Sequence, residues 1–215
     1  MKKLFLSIIP ILLAVSGFCQ GLQPVKIDSD VTVSLFSGFQ KKDTLSQSTW
    51  SANALNGYMI VIRQANAKGN TPLKKSSDLN NVLKTYVKGI QAESPNSVAA
   101  NVRDTTIGQL KAKVFTLETD NGGDITLRDF LLLYTQDVTY TFEYVYSSNT
   151  VDYSKKEGKA FFSSVRVGPD MTWTDQYQSR ATGLSSINKV EIFGGGALVL
   201  ILVITLITRK KPALG

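Results

Sequence analysis

The 215-residue chain contains no histidine and a single cysteine, Cys19. Without histidine there is no Ser-His-Asp or Cys-His catalysis and no His-ligated zinc, and one cysteine cannot make a CxxC pair. Cys19 closes an apolar leader, so everything after it lacks disulfides and thiols and must be held by its core. Acids are also in deficit, 17 against 24 Lys and Arg. That imbalance is local. Lys2 and Lys3 open the chain and Arg209, Lys210 and Lys211 stand near its end, leaving 19 cations against 17 acids from Gln20 to Glu191. A near-neutral span of this kind offers no phosphate-binding surface, so no nucleic acid is expected.

Charge-free apolar runs are scarce, and the two present carry an address. MKKLFLSIIPILLAVSGFCQ has a basic start, an apolar stretch and small residues, which predicts a signal peptide over residues 1–19. Lipidation of Cys19 is the alternative, although Phe18 stands where a lipobox needs a small residue. Ile192 to Thr208 is seventeen residues without a charge. As a helix it would span roughly 26 Å, the short end of a bilayer core. The basic tail over 209–215 belongs on the cytoplasmic side. The expectation is a single-pass protein of the bacterial cell membrane, N-terminus extracytoplasmic and C-terminus cytoplasmic. Gly194-Gly195-Gly196, an apolar helix and a basic end also fit a sorting signal that is later cut.

Between these runs, residues 20–29 read as an extended N-terminus, 30–167 as one domain and 168–191 as a polar stalk. Val31, Val33 and Leu35 alternate with polar residues as in a half-buried strand. Gly38 to Ser48 reads as a loop. Asn56-Gly57 predicts a hairpin between strands over 49–54 and 58–62. Leu79, Val82, Leu83, Tyr86, Val87 and Ile90 form one apolar stripe, predicting a helix over 76–93 capped by Ser76 or Ser77. Val98 to Tyr146 reads as an antiparallel meander with turns at 106–108, 121–123 and 136–137. In its last strand Tyr140, Phe142, Tyr144 and Tyr146 share one face. A covering helix over 76–93 would leave no pocket there; an open face would make a stacking platform. Ser154 and Glu157 have capping-box spacing and predict a second helix, with Ala160, Phe161, Phe162 and Val165 on its buried side. Trp173 and Tyr177, spaced i and i+4, either pack back on the domain or mark a docking motif.

The order of elements, with VTVSLFSGF (31–39), LKAKVFTLET (110–119), VTYTFEYVYSS and the closing FFSSVRV (161–167), resembles the PsbP-like α/β sandwich family. That family includes an extrinsic photosystem II subunit, a nuclear Ran-release factor and bacterial envelope proteins. The resemblance implies an α+β fold, an antiparallel β-sheet packed by two helices, and a non-catalytic binding role. It carries over no site residue.

No motif for chemistry stands against that reading. Asp120-Asn121-Gly122-Gly123-Asp124 imitates a calcium loop, but Leu131 falls at the twelfth position, where a bidentate acid is required. Asp124, Asp129, Asp137 and Asp152 read as solvated charges. The expectation is therefore a binding or assembly domain of the cell envelope with no catalytic residue, metal or cofactor and another envelope protein as partner. A small-ligand or lipid-binding module is the alternative, and a hydrolase built on an acid pair in a cleft a distant one. Tyr140, Phe142, Tyr144, Tyr146, Trp173 and Tyr177 are the candidate contact residues.

Overall fold

The computed structural model describes residues 21–67 and 72–179. The expected signal peptide, the span over 192–208 and the basic tail lie outside the described residues, and so do residues 180–191 of the expected stalk. Among the described residues no helix is long and apolar enough to cross a membrane.

A seven-stranded antiparallel sheet forms the middle layer, in the order β3 (Gln40–Asp43), β4 (Gln47–Asn53), β5 (Tyr58–Ala65), β9 (Val138–Ser147), β8 (Ile125–Tyr134), β7 (Leu110–Asp120) and β6 (Ser97–Ile107). A three-stranded sheet of β1 (Leu22–Lys26), β2 (Val31–Phe36) and the short β10 (Arg166–Val167) makes a second layer. Among the described residues the α-helices are α1 (Ser76–Ala92) and α2 (Val151–Ser163). This is the antiparallel α+β fold with two helices that the pattern implied.

The two faces of the large sheet bury two separate cores. On one face Trp50, Met59, Val61, Leu131, Tyr140, Phe142 and Tyr144 meet Val31, Val33 and Leu35 of β2 and Phe161 of α2. On the other, Phe115, Leu117, Phe130 and Leu132 meet Leu79, Val82, Leu83, Val87 and Ile90 of α1, the stripe read from the sequence. Phe115 and Phe130 stack there with centroids 4.6 Å apart. The helix over 76–93 therefore covers the face opposite the aromatic one. The tyrosine side of β9 is covered by β2 and α2 instead, because residues alternate across a strand and α1 packs on the odd-numbered set.

Several expectations change at the edges. The segment over 38–48, expected to be a loop, contains β3, whose four residues are all exposed and so show no apolar alternation. Residues 22–26, expected to be an extended tail, pair along their whole length with β2. α1 is not capped by Ser76 or Ser77: the Lys75 N–H donates to the Asp78 carboxylate at 3.0 Å. Ser154 and Glu157 do not open α2 either, since the helix begins at Val151 behind a single 3₁₀ turn over 148–150. Ala160, expected on the buried side, faces solvent.

The polar segment expected to begin a stalk at 168 stays on the domain through Ser179. Its Gln176 is fully buried: the side chain accepts from the Lys111 N–H at 2.8 Å and donates to the carbonyls of Lys111 and Tyr134 at 2.7 and 2.8 Å. Gln178 and Ser179 then donate backbone N–H bonds to Leu73 and Lys74 at 2.9 Å each. Satisfying a buried amide in this way fixes the segment far more firmly than its polar composition suggests.

Candidate functional site: a groove between α2 and the β6–β8 edge

The candidate aromatic residues do not form an open platform. Tyr140, Phe142, Tyr144 and Tyr146 are only 1, 0, 0 and 5% exposed. Each tyrosine hydroxyl in this row instead finds a different carboxylate. Tyr140 donates to Asp28 at 2.7 Å, Tyr144 to Glu157 at 2.6 Å and Tyr146 to Asp129 at 3.1 Å. Burial, and then the carboxylate each one meets, pushes all three phenols above their ordinary range. Burial also raises Tyr134 to about 12. These are satisfied core groups with apolar bodies and polar tips.

Trp173 and Tyr177 lie on the opposite side of the sheet, with centroids 5.4 Å apart, packed against the α1 core. Tyr177 is buried and Lys111 Nζ stands 5.9 Å from its ring centroid. The six candidate residues thus divide between two faces, and the fold does not bring them together.

An open concavity of about 790 Å³ does exist, where α2 stands away from the far end of the sheet. The large sheet reaches further than α2 and β1–β2 can cover, so the even-numbered residues of β7 and the odd-numbered residues of β8 continue past the core into an open floor. Val114 and Leu127 supply its apolar part above the buried Leu131, with Thr116 and Asp129 beside them. Ile107 and Arg103 come from β6 on one lip. On the other, Val151, Lys155, Gly158, Lys159 and Phe162 fall at helical spacing along one face of α2. Of the aromatic row, Tyr146 alone lines the groove.

The charges around it are unevenly committed. Asp129, read from the sequence as a solvated charge, accepts from Thr116 Oγ1 at 2.6 Å with one oxygen and from Tyr146 with the other. The side chains of Arg103, Lys155 and Lys159 are exposed and take no hydrogen-bond or ion-pair partner among the described residues. Glu118, at the outer end of β7, is the second acid of the lining.

Two glycines allow close approach to β9, Gly158 for α2 and Gly57 for the β4–β5 turn. A Cβ at Gly158 would stand 3.0 Å from the Tyr144 ring, so the helix can lie this close to the sheet only where a side chain is missing. Gly57, in the β4–β5 turn, would place a Cβ 2.5 Å from the Val145 carbonyl. Glu157 and Ser154 fasten the helix to that turn. The Glu157 carboxylate accepts the N–H groups of Leu55 and Asn56 at 2.9 Å each, and Ser154 donates to the Asn56 carbonyl at 3.0 Å. The spacing of Ser154 and Glu157 resembles a capping box, but their partners lie in the β4–β5 turn.

Other polar groups are structural. Asp120 Oδ1 accepts from Gly122 and Gly123 at 2.9 Å each, so the loop resembling a calcium site uses its first acid on its own turn. Arg128 and Glu143 pair at 2.6 Å beneath α1, with Arg128 also reaching Ser94 and lying over Phe130. Among the described residues no cluster of three metal-ligating side chains occurs. A second concavity of about 430 Å³ lies on the α1 side, between the start of that helix and β6–β7.

No protein-family model matches the chain, and no curated protein matches it in sequence. Among solved structures, one from Bacteroides thetaiotaomicron superposes with a TM-score of 0.42 at 8% identity, over 70% of this chain and 50% of that one. This chain spans half the length of that protein. LpqN, involved in cell envelope biogenesis of Mycobacterium tuberculosis, superposes with a TM-score of 0.44 at 10% identity, over 74% of this chain and 97% of that one. Likenesses this distant carry no argument about activity or family.

Proposed function

We propose that this chain is a non-catalytic binding domain of the bacterial cell envelope, held outside the membrane by the span expected at 192–208, and that it binds through the α2–β6 groove. The groove itself carries the reading: an open concavity of small-ligand size, floored by apolar side chains and edged by uncommitted cations. The PsbP-like resemblance, which rests on element order, agrees with a binding role.

A hydrolase would need two acids free to work in a cleft. Asp129 and Glu118 both line the groove, but both oxygens of Asp129 are held by Thr116 and Tyr146. This favours binding over acid–base chemistry. Of the two binding modes expected from sequence, the small-ligand module gains most, relocated from the aromatic face to the groove. Docking of another envelope protein remains the second reading. Leu55 and Tyr153 favour it, 76 and 70% exposed on the two elements that Glu157 and Ser154 fasten together.

Native mass spectrometry of the full chain released from membranes tests the groove reading, comparing wild type with Ser163→Trp on the exposed groove lip. Bound small molecules on the wild type and their loss from the variant are expected. Equal retention by both proteins would overturn it.

A further inference from the structure

We infer that the groove selects an anionic amphiphile of the membrane, a single acyl chain ending in a carboxylate or phosphate. The inference rests on the binding-groove reading and adds the chemistry of the occupant. Two observations carry it together, the apolar floor and the arrangement of charge on the lips.

Val114 and Leu127 of the sheet and Phe162 of α2 present a half-buried apolar strip to the groove, and all three pack against the main core. An acyl chain laid along that strip removes its surface from water and requires no polar partner from the floor. The strip is bounded by cations on both sides. Lys155 and Lys159 are one helical turn apart on the α2 lip, and Arg103 projects from β6 on the sheet lip. None of the three is paired among the described residues.

The acids of the groove offset these cations only in part, two carboxylates against three cationic side chains. Asp129 is turned into the fold, its two oxygens occupied by Thr116 and Tyr146. Glu118 stands toward the strand end, opposite Leu127 in the β7–β8 register. The lining therefore carries three cationic side chains against two carboxylates, one of which has both oxygens already engaged. Charge-assisted bonds from Lys and Arg to a carboxylate or phosphate are the stronger class of hydrogen bond. A neutral amphiphile would leave these donors unused, and a cationic one would be repelled.

Membranes carrying the full chain are photolabelled with a diazirine-bearing palmitate, with the diazirine-bearing alcohol of equal length as the uncharged probe. Peptide mass mapping then locates the adducts. The palmitate probe is expected to label β7, β8 and residues 151–163, and the alcohol about tenfold less. Lys155→Glu with Lys159→Glu, both exposed positions, should lower palmitate labelling about tenfold, while the two Lys→Arg changes should preserve it. Equal labelling by both probes, indifferent to charge reversal, would overturn the selection of an anion and leave the groove reading intact. Adducts displaced by a soluble acidic peptide but not by unlabelled palmitate would also overturn it, in favour of a peptide ligand. Absence of groove adducts with either probe would overturn the amphiphile, while the groove reading itself falls if Ser163→Trp and wild type retain small molecules equally.

Discussion

The Tyr144 hydroxyl donates to Glu157 at 2.6 Å, and the same carboxylate accepts the Leu55 and Asn56 amides at 2.9 Å each. One acid thus joins β9, α2 and the β4–β5 turn, and it fixes the helix that forms the outer wall of the groove. Replacing Glu157 with Gln puts an NH₂ group against N–H donors and removes the charge that strengthens all three bonds. A loss of about 2–3 kcal/mol is expected, against about 1 kcal/mol for Tyr144→Phe, with the two effects less than additive. Denaturant unfolding of the detergent-solubilised chain, followed by the fluorescence of Trp50 and Trp173, measures both.

Gly57 and Gly158 predict a contrast. Gly57→Ala drives a methyl into the Val145 backbone carbonyl, which cannot move without disturbing the β5–β9 ladder, and should cost about 2–3 kcal/mol. At Gly158 an alanine gains about 1 kcal/mol of helix propensity but presses on the Tyr144 ring. Its net effect should be smaller than that of Gly57→Ala in the same unfolding measurement. A larger loss at Gly158 would contradict the assigned contacts.

The Arg128–Glu143 pair lies beneath α1, with both side chains buried. Glu143→Leu alone strands a guanidinium and should cost about 3–5 kcal/mol. Arg128→Met combined with Glu143→Leu should recover most of that loss, because two apolar groups need no partner. Failure of the double variant to recover stability would mean that the pair also positions Ser94.

Acid stability should depend on Asp28. Burial pushes its carboxyl up, but hydrogen bonds from Tyr140, Arg63 and the Asp30 and Val31 amides outweigh that and hold it below its ordinary value of 3.8. The unfolded chain, with its ordinary carboxyl, therefore takes up this proton first as pH falls. The stabilisation is fully present above the unfolded value and is lost as pH falls through the lower folded value. Asp28→Asn should remove this contribution and flatten the acid limb of a stability–pH profile below about pH 4. An unchanged acid limb would count against it.

What could be read from the sequence depended on whether the signal was local. The α1 stripe and the alternation of Val31, Val33 and Leu35 are written in consecutive residues, and both appear where the pattern puts them. β3 escaped because an edge strand of Gln40, Lys41, Lys42 and Asp43 has no buried side to alternate. Ser154 and Glu157 mislead for the opposite reason: their spacing imitates a local cap while their partner, the turn at Leu55 and Asn56, lies about a hundred residues earlier. Gln176 reads as stalk because its partners are backbone groups of Lys111 and Tyr134. The groove has no sequence signature at all, since Arg103, Leu127 and Lys159 meet only through sheet order and the placement of α2.

Hydrogen–deuterium exchange of the full chain in membranes, with and without an extract of envelope small molecules, tests the central claim most directly. A groove-binding domain predicts protection concentrated in β6, over 97–107, and in α2, over 151–163, with β1–β2 and α1 unchanged. Exchange that is unaltered in those segments, or protection confined to α1, would contradict it.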